Sequence, residues 1–167
     1  MRGRYGWAMV LAAPVLLAAA PAKKSPLETQ VDAAIANIYA PYRTDAESKP
    51  EWDRPLFTPG LKGLIGDWQK AIGEDLTALN EAGWFCECQD YSPKAYRMKR
   101  TALRELAPGK VEVKYTVGVT AGMKAPQRLI LVRDAKGRWL VDDLFTESMP
   151  KGLRAGLTLE ISDPSSR

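Results

Sequence analysis

From Val111 to Thr120 apolar and polar residues take strict turns. Val111, Val113, Tyr115, Val117 and Val119 alternate with Glu112, Lys114, Thr116, Gly118 and Thr120. Side chains of an extended chain point to opposite faces in turn, so this pattern commits the segment to a strand with one buried and one wet face. Such a strand needs neighbours, and the flanking sequence supplies them. Lys94–Leu106 reads as a strand with imperfect alternation, and Ala107-Pro108-Gly109 turns the chain into the next. Gln127–Arg133 predicts a third strand, Ala135-Lys136-Gly137 a hairpin turn, and Arg138–Phe145 a fourth strand that pairs back.

The sequence before these strands has the helical period instead. Ser25, Pro26 and Glu28 form an S-x-x-E capping box with proline at the first helical position. Leu27, Val31, Ala34, Ile35, Ile38 and Tyr39 then make one apolar stripe, which Pro41 stops. Thr44–Pro55 reads as a polar, proline-bearing loop. A second helix starts after Thr58 at Pro59, carries Leu61, Leu64, Ile65, Trp68 and Ile72 on one face, and ends at Gly73. Pro150 opens a last helix with Leu153, Leu157 and Ile161, weakened by Gly152 and Gly156 at about 1 kcal/mol each relative to alanine. Helices followed by hairpin-linked strands predict an α+β domain, with the helices packed on one face of a curved antiparallel sheet. The twist of such a sheet leaves room for a cone-shaped cavity between sheet and helices.

Met1–Gly6 brings Arg2 and Arg4, Trp7–Ala20 is uncharged, and Ala20-Pro21-Ala22 offers small residues before Lys23. That is the grammar of a secretory signal, so residues 1–22 are expected to be a cleaved leader and 23–167 one domain, periplasmic or secreted. The alternative is an uncleaved anchor, for which the run is short against the ~20 residues of a span. No later stretch is apolar enough to cross a bilayer. Without Arg2 and Arg4 the chain holds 22 basic against 20 acidic residues, a net charge of +2. The basic residues are dispersed along the chain, which argues against a nucleic-acid partner. There is no histidine, which excludes a Ser-His-Asp or Cys-His nucleophile and any zinc site built on imidazole. No metal and no cofactor is expected.

Four features carry possible chemistry. Cys86-Glu87-Cys88 admits three readings: a disulfide closed by a turn at Glu87, two separate buried thiols, or a metal or redox site. The disulfide would be a small strained ring that reduces easily, and export favours oxidation. Gln89-Asp90-Tyr91 follows directly, either as a local side-chain turn or with Gln89 or Asp90 pointing into the cavity as a recognition group. In Trp139-Leu140-Val141-Asp142-Asp143-Leu144-Phe145 both faces are apolar, which predicts a central strand and at least one buried carboxylate. That carboxylate either pairs with an arginine such as Arg100 or Arg128, or is a tuned acid, making Asp143 the first candidate for a general base and Asp90 the second. Trp52, Trp68, Trp84, Phe85, Tyr91 and Tyr96 either fill core or rim a pocket.

Tyr39-Ala40-Pro41-Tyr42, a second helix ending in DWQKA, WFCECQDY and WLVDDLFTESMPKGL together resemble a family of small exported bacterial proteins. That family is grouped as a domain of unknown function, near the nuclear-transport-factor-like (cystatin-like) fold. The resemblance runs from about Leu27 to Ile161, and its most specific pieces are Cys88–Tyr91 and Trp139–Phe145. It implies a cone-shaped domain and no particular activity. Proteins sharing that fold include isomerases and dehydratases using a pocket Asp or an Asp-His pair, as well as non-catalytic binding modules; this chain lacks the histidine. The leading expectation is therefore an exported binding module for a small apolar molecule, a peptide or another envelope protein. Gln89, Asp90, Tyr91, Trp68 and Asp143 are its candidate binding residues. The alternatives are a pocket enzyme using Asp143 or Asp90 with Tyr39, Tyr96 or Tyr115 as hydrogen-bond donor, and an inhibitor or immunity protein acting through surface loops.

Overall fold

The computed structural model of the chain describes residues 24–44, 49–163 and Ser165. The expected leader, residues 1–22, lies outside the described residues. Helix α1 spans Pro26–Ile38, and its capping box is complete: the Ser25 hydroxyl accepts from the Glu28 backbone, and the Glu28 carboxylate accepts from the Ser25 N–H. Such a cap is worth about 1 kcal/mol. A short 3-10 turn, Ala40–Arg43, continues it past Pro41. The loop that follows contains a second such turn, Glu51–Asp53, and helix α2 spans Pro59–Ile72 with the Thr58 side chain capping it.

Four strands follow in an antiparallel meander: β1 Arg97–Ala107, β2 Lys110–Gly118, β3 Ala125–Arg133 and β4 Trp139–Phe145. The alternation read from β2 holds, with Val111, Val113, Tyr115, Val117 and Val119 all buried. Register places Val113 against Leu129 and Leu103, and Tyr115 against Gln127 and Arg100. One face of the sheet thereby becomes a continuous floor of the core. Val31 and Ile35 of α1, Leu61, Ile65 and Trp68 of α2, and Leu153 and Leu157 of α3 (Leu153–Ser162) complete that core. The molecule is an α+β fold, with its helices on one face of a curved antiparallel sheet. Arg54 ties the loop before α2 to the end of α1, donating to the carbonyls of Ile38 at 2.8 Å and Asn37 at 3.0 Å.

Three sequence expectations need correction. The first strand starts at Arg97, because Pro93–Ala95 forms a 3-10 turn. The last helix starts at Leu153, not Pro150: Gly152 has φ 96°, a conformation closed to most L residues, and the helix opens only after it. Strand β4 is at the end of the sheet rather than its centre. Its apolar outer side is explained by Leu56–Thr58, which pairs with Val141 along the free edge through Val141 N to Leu56 O at 2.8 Å and Thr58 N to Val141 O at 2.9 Å. At the other end, among the described residues, β1 pairs only with β2 and its outer edge is open. Among the described residues no helix is long and apolar enough to cross a membrane.

Candidate functional site

The space between sheet and helices, where a pocket was expected, is occupied by a buried polar cluster. Tyr39 comes from the end of α1, Tyr115 from β2 and Gln127 from β3. The two phenols lie 2.7 Å apart, and both donate toward Gln127 Oε1, at 2.5 and 2.8 Å. Gln127 Nε2 donates to the Phe85 carbonyl at 2.9 Å. Burial pushes both phenols well above the ordinary tyrosine range, so they stay neutral. Tyr39 and Tyr115 thus serve one another and Gln127. Tyr96 is half-buried, with its hydroxyl near Met98 Sδ. Trp68 belongs to the core as well: its indole N–H donates to the buried carboxylate of Glu160 on α3 at 2.7 Å.

The adjacent acids of β4 take different positions because the strand bulges between them. Leu131 pairs with Val141 and Ile130 with Asp143, so Asp142 is the extra residue. The bulge re-phases the strand and lets Val141 and Leu144 both face the core. Asp142 is paired with neither Arg100 nor Arg128. It meets Arg154 of α3 at 2.7 Å, Lys110 at 3.3 Å and the Thr58 hydroxyl at 3.0 Å. Burial opposes its ionisation, but these donors outweigh it and hold its pKa below the usual range. Asp143 Oδ1 accepts from the backbone N–H of Arg154 at 3.1 Å and of Leu144 at 2.9 Å, so this carboxylate satisfies the start of α3. Burial pushes its pKa up, against the pull of those two N–H groups. The expected arginines lie elsewhere: Arg100 bridges Glu28 and Asp32 of α1, and Arg128 pairs with Glu112 and lies over the Phe145 ring.

The Trp84–Tyr91 segment forms a tight loop closed by Gly83 N to Cys88 O at 2.9 Å and Glu87 N to Gly83 O at 2.8 Å. Cys86 and Cys88 are joined as a disulfide, with Cα atoms 5.1 Å apart. Glu87 between them has φ 51°, the one positive value on a non-glycine residue among those described. Its carboxylate is held by Ser148, whose N–H and hydroxyl donate at 2.8 and 2.7 Å. Beneath the loop lies Glu51, 9% exposed, accepting from the Phe85 N–H at 3.1 Å and from the Tyr42 hydroxyl. Burial raises the Glu51 pKa against those donors. Gly83 permits this convergence. A Cβ there would sit 2.9 Å from Cys86 Sγ and 3.4 Å from both Glu51 Oε1 and Tyr42 Oη. A hollow of about 360 Å³ opens over them, bordered by both cysteines, Glu51, Trp52, Gln89 and Tyr91. Gln89 and Tyr91 therefore meet at one place, whereas Asp90 is exposed beside it, Trp68 lies buried behind Trp52 without lining the hollow, and Asp143 belongs to another part of the molecule.

A second, larger groove lies on the outer face of the sheet, near the ends of β1 and β2. It measures about 800 Å³ and is walled by the Thr120–Lys124 turn. Gly118 lets that turn fold down, since a Cβ there would meet the Met123 carbonyl oxygen at 2.3 Å. Lys94, Arg97, Lys99 and Lys124 line the groove, and among the described residues no acidic one does; Met98 and Met123 border it but pack against the core. The chain matches no family model, no curated protein and no solved structure. What the structure brings together here was scattered in the sequence. Lys94, Lys99 and Lys124 belong to three separate elements, and only pairing Lys99 with Thr116 and Arg97 with Gly118 sets them round one groove. Glu51 was hidden in a polar loop, and its one sequence signal was the neighbouring Trp52.

Proposed function

We propose that the protein is an exported, non-catalytic binding module of the cone-shaped nuclear-transport-factor-like kind. Its partner would be an acidic segment of another envelope protein, taken on the outer face of the sheet. The observation that carries this reading is the groove beside β1, with four cations and, among the described residues, no carboxylate. Cations at the rim supply attraction and orientation for an acidic chain. The open edge of β1 adds unpaired backbone groups with which an extended segment can pair. A filled interior fits a protein partner better than a small apolar ligand, because the Tyr39, Tyr115 and Gln127 groups already satisfy one another where such a ligand would go.

The test is fluorescence anisotropy with a short labelled peptide alternating Glu and Thr, titrated at low and at physiological ionic strength. Binding should weaken with salt, and Lys99→Glu combined with Lys124→Glu should weaken it by at least about tenfold. The reversed-charge variant Lys62→Glu, on α2, should leave it unchanged. Equal binding by all variants overturns the reading. So does equal affinity for a single-stranded oligonucleotide of matched charge, which would mark the groove as a general polyanion site.

A further inference from the structure

The groove leaves the cysteine hollow unexplained, and the hollow has the parts of a thiol–disulfide exchange centre. Cys86 is 2% exposed, whereas Cys88 is only partly buried and borders the hollow, so an incoming thiol reaches Cys88 first. The ring between the sulfurs holds one residue, and that residue, Glu87, is kept in the left-handed region at φ 51°. A non-glycine residue there is strained, and opening the ring releases it. The carboxyl of Glu51 and the Tyr42 hydroxyl are turned to the same point as Cys86 Sγ around Gly83, and of the two the carboxyl is the stronger acid and so the one able to hand a proton to a departing thiolate.

We infer that Cys86–Cys88 exchanges with external thiols, with Cys88 as the sulfur attacked, Cys86 as the leaving sulfur and Glu51 as the acid that protonates it. An external thiolate bonds to Cys88 Sγ, the Cys86–Cys88 bond breaks, and its electron pair leaves on Cys86. Glu51 passes its proton to that sulfur and becomes a carboxylate. A second external thiol then attacks the mixed disulfide, releasing an external disulfide and the Cys88 thiol. Two thiols have lost two electrons in all, and the protein disulfide has gained them. Run forward on a partner's two cysteines the same steps oxidise a dithiol, and run in reverse they reduce a partner's disulfide. This role is independent of the binding groove.

Glu51 suits the acid's part because burial favours its protonated form. Around it stand Tyr42 from the 3-10 turn after α1, Arg54 from its own turn, and Tyr39 and Tyr115 from the core cluster. Lys49 and Glu81 sit at the hollow's rim. The phenols stay neutral, so Arg54 is the charged group that acts on it directly, with Lys49 and Glu81 farther out at the rim.

The test reduces the whole protein with reduced glutathione while following free thiol. Mass spectrometry of acid-quenched samples should show one glutathione adduct, on Cys88. The second-order constant per glutathione thiolate should fall as pH rises through the Glu51 titration. In Glu51→Gln, which keeps an acceptor for the Phe85 N–H, that constant should be at least about tenfold lower at low pH and independent of pH. Tyr42→Phe, which leaves the carboxyl in place, should keep the pH dependence and serves as the second variant if Glu51→Gln does not fold. Three results overturn the inference: a disulfide inert to glutathione in folded protein, an adduct on Cys86, or a constant per thiolate that does not vary with pH in the parent.

Discussion

Gln127→Leu tests whether the polar cluster at the centre of the core is as tightly coupled as its geometry says. Three short contacts link Tyr39, Tyr115 and Gln127 Oε1, but the two phenols own only two hydrogens. Once the amide is gone, the phenols can bond to each other, leaving one hydroxyl hydrogen without an acceptor. The Phe85 carbonyl loses the Gln127 donor as well. Each stranded buried group costs about 1–3 kcal/mol, and leucine's extra apolar burial offsets about 1–2 kcal/mol, so the net loss is about 3 kcal/mol. In urea, with an m-value of roughly 2 kcal/mol/M, the midpoint should fall by about 1.5 M. Replacing both phenols as well, in Tyr39→Phe/Tyr115→Phe/Gln127→Leu, strands only the Phe85 carbonyl and should regain about 1–2 kcal/mol over the single variant. The reasoning fails if Gln127→Leu unfolds within about 0.5 M of the parent, or if the triple variant is the less stable of the two.

The remaining predictions concern the seams around this core. Asp143 has a raised native pKa, so the stability it contributes is complete below the unfolded aspartate value and declines as pH rises through the native one. Asp143→Asn, which still accepts from the Arg154 N–H, should therefore be at least as stable as the parent at pH 7, with its advantage vanishing in acid; thermal unfolding across pH checks this. Asp142 runs the other way: its contribution is present above the unfolded value and lost as pH falls through its lowered native one. Arg154→Met should flatten that acid limb, and an unchanged limb would refute the pairing. Glu160→Leu strands the Trp68 indole N–H, while the Leu79 N–H keeps the Thr77 hydroxyl at 3.2 Å, and should cost about 1–3 kcal/mol, whereas Glu160→Gln, which keeps an acceptor, should cost about half as much in urea unfolding. Gly118→Ala drives a methyl into the Met123 carbonyl and should cost about 1–3 kcal/mol, with amide shifts centred on Thr120–Lys124 in NMR spectra.

The sequence exposed those parts of the molecule that local rules govern. The capping box at Ser25, the stripe on α2 and the alternation of β2 depend on near neighbours, and each stands in the structure where the pattern placed it. The features that needed tertiary knowledge did not show. The bulge at Asp142 adds one residue to an apolar run without a glycine to mark it, so the facing of Asp143 was unreadable. The apolar outer side of β4 looked like a central strand because the segment covering it, Leu56–Thr58, comes from a distant part of the chain. Glu51 and Glu160 look like ordinary polar residues of a loop and a helix. Their burial follows from which elements close over them. The same holds for the cations beside β1, whose grouping exists only once register is set.

The two margins of the sheet are unequal, and that sets how these molecules can add to one another. Along β4 the strand's free hydrogen-bonding side is taken up by Leu56–Thr58, while along β1 it faces solvent. Among the described residues a strand-to-strand meeting of two copies is therefore favoured β1 to β1, and each copy would have used its freer side in making it. Growth by this route favours a pair over a fibre.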